Sequence, residues 1–138
     1  AGDILKEQKK NTTDDRKKIE NLHKMVRLAY TLKEELLHNN IDAMGDILHQ
    51  GWMYKKELAG GISNELINRY YDLAMQNGAS GGKLLGAGGG GFLLFYVKEE
   101  NHERVRHALR DLKELKFKFD NKGTTIIHYN KHSLRGEF

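Results

Sequence analysis

The 138-residue sequence contains no cysteine and no proline. Without thiols it can form neither a disulfide nor a cysteine-ligated zinc site, and a reducing compartment, the cytoplasm, is the natural expectation. Without proline, and with no Ser/Pro-rich stretch, it shows no obvious linker. Long apolar runs are missing too. The longest, Phe92 to Val97, is strand-sized and far short of the roughly 20 residues a membrane span needs. Ala1-Gly2-Asp3-Ile4 lacks the charged-then-apolar order of a signal peptide. The 7 histidines form no HExxH-type pattern. His102 and His107 lie five apart, off a shared helix face, so no metal site is expected. The chain begins on Ala1 rather than methionine, as a trimmed or fragmentary sequence would, and Leu134 to Phe138 carries no pattern.

Charge of one sign is also lacking: 23 Lys and Arg stand against 19 Asp and Glu, a net charge of +4. The clearest basic bias is Lys6, Lys9, Lys10, Arg16, Lys17 and Lys18. A solvated helix surface explains it better than a phosphate-binding stripe, because aromatics do not interleave with the lysines as single-strand binding would require. Neither a nucleic-acid nor a membrane partner is expected.

What is present is the composition of a soluble globular chain, 38% hydrophobic and 30% charged, of about one domain's length. A helical part, about residues 14–77, precedes a glycine-rich loop at 78–91 and a strand–helix–hairpin part at 92–130. Ile19, Leu22, Val26, Ala29, Leu32 and Leu36 recur at steps of three and four, predicting a helix with one buried face. Thr12 or Thr13 is placed to cap it, with Asp14 and Asp15 in its first turn, and Asn39-Asn40 ends it. A second helix runs from about Asp42 to Leu58 with Met44, Leu48 and Trp52 on one face and Gly60-Gly61 as its stop. Gly45 and Gly51 weaken it unless they mark close packing. Ser63 is read as the cap of a third helix, with Ile62 and Ile67 as a hydrophobic staple, Tyr70 and Ala74 continuing the face, and Gly78 closing it.

From Phe92 the period changes. Phe92 to Val97 is apolar on both faces, as a covered central strand should be. Asn101 opens a helix burying Val105, Ala108, Leu109 and Leu112. Leu115, Phe117 and Phe119 then alternate with lysines, Asp120 to Gly123 makes a turn, and Thr125, Ile127 and Tyr129 alternate on the return. Together these elements argue for an α+β two-layer domain.

Of the 15 glycines, more than half fall between Gly78 and Gly91. Such clustering lets main-chain amides approach a ligand or another backbone, at an entropic cost that a stability role alone would not justify. A flexible linker fits poorly, since Lys83-Leu84-Leu85 and Phe92 to Val97 bracket the stretch. Gly86-x-Gly88-x-x-Gly91 matches GxGxxG, but a dinucleotide fingerprint opens a helix and here a strand follows. Walker A fails at Asn77 and Leu84, and the protein-kinase glycine loop fails at Leu93.

The stretch Gly81-Gly82-Lys83-Leu84-Leu85-Gly86-Ala87-Gly88-Gly89-Gly90-Gly91-Phe92-Leu93-Leu94-Phe95 resembles the third motif of the GHMP kinase superfamily. The resemblance extends over most of residues 14–130. Gly51 to Leu58 and Ile62-Ser63-Asn64 are similar to the helix and connector upstream of that motif. Phe117 to Gly123 with Ile126 to Tyr129 is similar to the closing hairpin of the D-glycero-D-manno-heptose 7-phosphate kinases, and fucokinase-type enzymes look alike here. The resemblance implies a ferredoxin-like C-terminal domain with a small, mainly antiparallel sheet, whose first strand this sequence does not show. It implies the substrate-side half of an ATP-dependent sugar kinase, with Gly86, Ala87, Gly88, Gly89 and Gly90 lining the phosphate-side loop. ATP, Mg2+ and a sugar phosphate are the implied ligands of the whole enzyme, none of them expected on this chain alone. The catalytic base and the family's proline-containing phosphate loop belong to an N-terminal domain absent from this sequence, so the chain alone is expected to be inactive. Lys83 reads equally as a phosphate contact or a strand-end lysine. Trp52 reads as core rather than a sugar platform, and at most one of Lys55 and Lys56 can face a cleft, since neighbours on a helix point about 100° apart. Self-association through an open sheet edge is a further expectation. A phosphosugar-binding regulatory module and a basic RNA-binding domain are the competing readings.

Overall fold

The computed structural model describes residues 2–7, 15–86, 89–123 and 125. Among them run α1 (Arg16–Leu37), α2 (Ala43–Lys56), α3 (Glu65–Gln76), β1 (Ala79–Leu85), β2 (Phe92–Val97), a single 3-10 turn (Glu99–Asn101) and α4 (His102–Ala108). A short helical stretch at 2–7 precedes them. Helices packed on a small antiparallel sheet give the α+β architecture the sequence implied. Among the described residues no helix is long and apolar enough to cross a membrane.

The helix ends follow local chemistry, shifted slightly from the sequence reading. Asp15 caps α1, its carboxylate accepting the Lys17 amide at 3.0 Å; Thr12, Thr13 and Asp14 lie outside the described residues, as do Lys9 and Lys10. α1 closes as expected at Asn39, whose φ is 59°. The Asn39 and Asn40 amides donate to Leu36 and Glu35 carbonyls at 3.1 and 2.8 Å, a Schellman closure. Asn64, one residue after the expected Ser63, caps α3 by accepting the Ile67 amide at 2.9 Å, while the Ser63 hydroxyl donates to Asn68 Oδ1 at 2.8 Å. Gly78, at φ 106°, closes α3.

The core gathers where α2 and α3 meet the sheet. Trp52, Leu58, Ile62, Ile67, Tyr71 and Leu84 form its main cluster, with Leu93 and Phe95 packed against it. A smaller cluster of Ala74, Ala79 and Val105 lies under α4, and Phe95 touches both. Tyr71 rather than Tyr70 is the buried tyrosine, at 2% exposure. On α2 the buried positions are Gly45, Ile47 and Trp52, with Met44 and Leu48 half-buried. α1 packs on α2, but its apolar stripe is covered only in part: Leu22 and Met25 reach the core, while Ile19, Val26 and Leu36 stay exposed.

β1 and β2 pair antiparallel from Ala79↔Val97 to Leu85↔Phe92, with an irregularity between Ala79 and Gly81. The glycine stretch is therefore half strand, and only residues 86–91 connect the two. Among the described residues β2 pairs with β1 alone, so it is an edge rather than a covered central strand, and Phe92 is exposed. Gly81 is where α2 comes closest: a Cβ there would collide with the Gly45 carbonyl oxygen, and one on Gly45 with Ser80 Cβ. Gly51, by contrast, has only Leu28 Cδ1 nearby, at 3.8 Å.

α4 is shorter than expected. Val105 is buried, Ala108 and Leu109 half-buried, and Leu112 exposed. Leu115, Phe117 and Phe119 are exposed and pair with no strand among the described residues. The Asp120 carboxylate does accept the Lys122 amide at 2.8 Å, closing a turn. The return arm, Ile126 to Tyr129, lies outside the described residues.

Two carboxylates join the helices to their neighbours. Glu57 accepts the buried Asn21 amide at 2.9 Å and pairs with Lys17 at 3.3 Å, and these two contacts, the Asn21 bond first, hold its pKa below the usual value. The Tyr96 hydroxyl, donating at 2.7 Å, and then Lys98 at 3.1 Å hold Asp42 below its usual value. A carboxyl whose pKa is lower folded than unfolded stabilises the fold above its unfolded pKa and loses that contribution as pH falls through the folded one. Urea midpoints are therefore expected to stay level from neutral pH to about 5 and to drop below about 4. An Asp42→Asn variant should show a shallower acid drop; an equal drop would remove Asp42 from the account.

Candidate functional site

The residues singled out by the glycine pattern come together in part. Gly86, Gly89 and Gly90 sit in the connection between β1 and β2, while Ala87 and Gly88 lie outside the described residues. Gly86, Gly89 and Gly91 have φ of 134°, 71° and 129°, values that residues with a Cβ rarely adopt. A Cβ on Gly91 would also strike the Leu85 carbonyl oxygen.

The turn leans on the connector between α2 and α3. The Gly89 amide donates to the Ile62 carbonyl at 3.3 Å, and Asn64 Nδ2 donates to the Gly89 carbonyl at 3.5 Å. Ile4, from the 2–7 stretch, covers the other side: its Cδ1 lies 3.6 Å from where a Gly89 Cβ would be and 3.5 Å from that of Gly61. The Gly89 amide thus has Ile62 as its partner within the chain. Gly90 differs. A Cβ there would meet open space, and its amide has no partner among the described residues.

Lys83 lies on β1 opposite Leu94, three residues before Gly86, with its side chain exposed on the face opposite buried Leu84. It makes no ion pair among the described residues, and it stands about 10 Å along the strand from Gly86 by strand rise. Trp52 is core, as its helical face implied, at 2% exposure. The Lys56 ammonium stands 5.8 Å from the Trp52 ring centroid, in cation–π range.

Behind the turn, Tyr71 ties three elements together. Its hydroxyl donates to the Gly82 carbonyl at 3.3 Å and lies 2.8 Å from His49 Nδ1. The phenol has one proton, so with that proton on Gly82 the His49 Nδ1 is the protonated nitrogen and donates to Tyr71. Burial pushes the Tyr71 pKa up to about 12, which keeps the phenol a neutral donor. α2, α3 and β1 are thereby locked at the base of the strand that feeds the turn. Neither this lock nor the Asn64 and Ile4 contacts were read from the sequence. The signal was partial: Asn64 is a cap former ahead of Glu65, but the partner of its second polar atom is 25 positions away.

The architecture has relatives. Residues 32–114 match the family described as GHMP kinases C terminal. The chain is 36% identical over 106 residues to a D-glycero-alpha-D-manno-heptose 7-phosphate kinase of Campylobacter jejuni, covering 77% of this chain and 31% of that protein. It is 34% identical over 104 residues to a bifunctional fucokinase/GDP-fucose pyrophosphorylase of Arabidopsis thaliana, covering 75% of this chain and 10% of that protein. The chain thus spans about a third or less of the length of these curated relatives.

Proposed function

The chain belongs to the GHMP kinases, as one of their C-terminal domains, and from that premise we propose that it is the substrate-side part of an ATP-dependent sugar kinase. Its substrate is D-glycero-D-manno-heptose 7-phosphate, phosphorylated at the anomeric hydroxyl. The whole of residues 1–138 serves as that domain, in the cytoplasm, and completes its site with an N-terminal domain that carries the ATP-phosphate loop and the base.

The reading rests on the glycines that connect β1 and β2, where the Gly90 amide has no partner among the described residues and a Cβ on Gly90 would meet open space. Phosphoryl transfer asks mainly for positioning and charge stabilisation. The anomeric oxygen bonds to the γ-phosphorus, the bond to ADP breaks, and the hydroxyl proton leaves to a base outside this chain. This chain's share is to orient phosphate oxygens through the turn amides, with Lys83 as a further candidate contact on the strand that feeds the turn. Among the described residues no three His, Asp or Glu side chains group to hold a metal. A fucokinase-like activity is the second reading, favoured by the similarity to the Arabidopsis protein.

The test is coupled ADP release with Mg-ATP and D-glycero-D-manno-heptose 7-phosphate or L-fucose, using this chain alone and together with the N-terminal half of the parent enzyme. Silence alone and turnover on mixing with the heptose are expected. Turnover with fucose only would move the assignment to the second reading, and silence with both sugars, in folded and associated halves, would leave a phosphosugar-binding module. Gly90→Ala is expected to leave the melting temperature unchanged, because the added methyl meets open space. It should lower kcat/KM about tenfold by crowding the anion. An unchanged kcat/KM would place the phosphate elsewhere.

A further inference from the structure

Asn64 uses both ends of its side-chain amide. Its Oδ1 accepts the Ile67 amide at 2.9 Å and caps α3, while its Nδ2 donates to the Gly89 carbonyl at 3.5 Å. A cap alone would be satisfied by Ser, Thr or Asp. Among the usual cap formers asparagine alone carries its donor on a different atom from its cap acceptor. The second bond from the same connector, Gly89 amide to Ile62 carbonyl at 3.3 Å, grips the same residue.

The consequence lies in the next peptide plane. The Gly89 carbonyl and the Gly90 N–H belong to one peptide unit, and in a trans peptide the two point in opposite directions. Drawing the carbonyl toward Asn64 therefore aims the Gly90 N–H away from the connector. With glycine on both sides, a flip of this peptide meets little steric resistance. Flipped, it would present a carbonyl oxygen where an anion needs a donor.

We propose that Asn64 is a positioning residue that holds the Gly89–Gly90 peptide with its N–H outward, so that the turn receives a phosphate group rather than repelling it. The proposal rests on the kinase reading for the identity of the anion, but the grip itself does not.

The deciding variant is Asn64→Asp in the full-length enzyme, with Asn64→Ser beside it. Both keep a cap acceptor, and Asp adds a carboxylate against the Gly89 carbonyl that favours the flip. The melting temperature should stay close to wild type in at least one of them. Amide exchange at Gly89, whose N–H is bonded to the Ile62 carbonyl, is expected to quicken about tenfold in Asn64→Asp. KM for the phosphate-bearing substrate should rise about tenfold, with a smaller change in kcat and a milder effect in Asn64→Ser. A purely structural cap would leave turn exchange and KM at wild-type values in both variants, and that result overturns the proposal. Quickened exchange with an unchanged KM overturns it as well. If wild-type enzyme is silent toward every sugar phosphate, the kinase reading fails separately. The exchange rates at Gly89 and Gly90, with and without inorganic phosphate, then decide: protection by phosphate in wild type that Asn64→Asp loses keeps the proposal, and equal behaviour rejects it.

Discussion

Trp52→Ala is expected to lower the unfolding free energy by about 4 kcal/mol, in the range for removing a buried large aromatic. Trp52 is 2% exposed at the centre of the main cluster and stands 6.2 Å, ring to ring, from Tyr71. Tyr71 in turn lies against Phe95, ring to ring at 5.6 Å and tilted by 45°, and bonds to Gly82. A cavity at Trp52 thus borders the tyrosine that locks α2, α3 and β1 together. Trp52→Phe should cost much less, because the indole Nε1 is buried without a hydrogen-bond partner among the described residues, and an unpaired buried donor carries a penalty of about 1–3 kcal/mol that phenylalanine removes. Urea unfolding of the two variants checks this. A cost for alanine below about 1.5 kcal/mol would mean that the site collapses freely or that the tryptophan is not central.

Gly81→Ala is expected to cost about 3 kcal/mol, at the upper end of overpacking. The new methyl would enter the space of the Gly45 carbonyl oxygen and come within 3.1 Å of His49 Cβ. A backbone oxygen cannot rotate away as a side chain can, so α2 must lift from β1 or the strand must shift. Either movement pulls on the His49–Tyr71–Gly82 bonds and on the turn that β1 feeds. The control is Gly51→Ala on the same helix, where the nearest atom is at ordinary contact distance. There alanine's helix preference should leave stability equal or raise it by up to about 1 kcal/mol. Chemical denaturation of the pair separates the two kinds of helical and strand glycine. Similar behaviour of the two variants would show that the α2–β1 approach is softer than the geometry implies.

Most local signals in the sequence were sufficient where only neighbours along the chain matter. The step of three and four residues marked α1, Asn39-Asn40 marked its end, Gly78 marked the end of α3, and the apolar run marked β2. Errors of one position arose where adjacent residues had equal local claims. Ser63 and Asn64 are both cap formers, and Tyr70 and Tyr71 are both aromatic. The choice fell to whichever backbone geometry and packing placed correctly. β1 was illegible because Ala79-Ser80-Gly81-Gly82 has the composition of a loop. It is a strand because β2 pairs with it, and its glycine at 81 is needed because α2 approaches there too closely for a Cβ. At Leu115 to Phe119 the alternation pairs with no strand among the described residues, and its expected partner, Ile126 to Tyr129, lies outside them.

The sequence by itself determined the helical layer, the glycine-rich character of the turn, and enough of the motif to place the chain among its relatives, because periodicity, capping and left-handed backbone are properties of short segments. Tertiary structure alone decided which glycines serve packing and which face open space, and that the Gly89 amide bonds to Ile62 while the Gly90 amide has no partner among the described residues. Those outcomes depend on oxygens and side chains brought close by folding from positions 25 to 36 residues apart, and no local pattern encodes such distances.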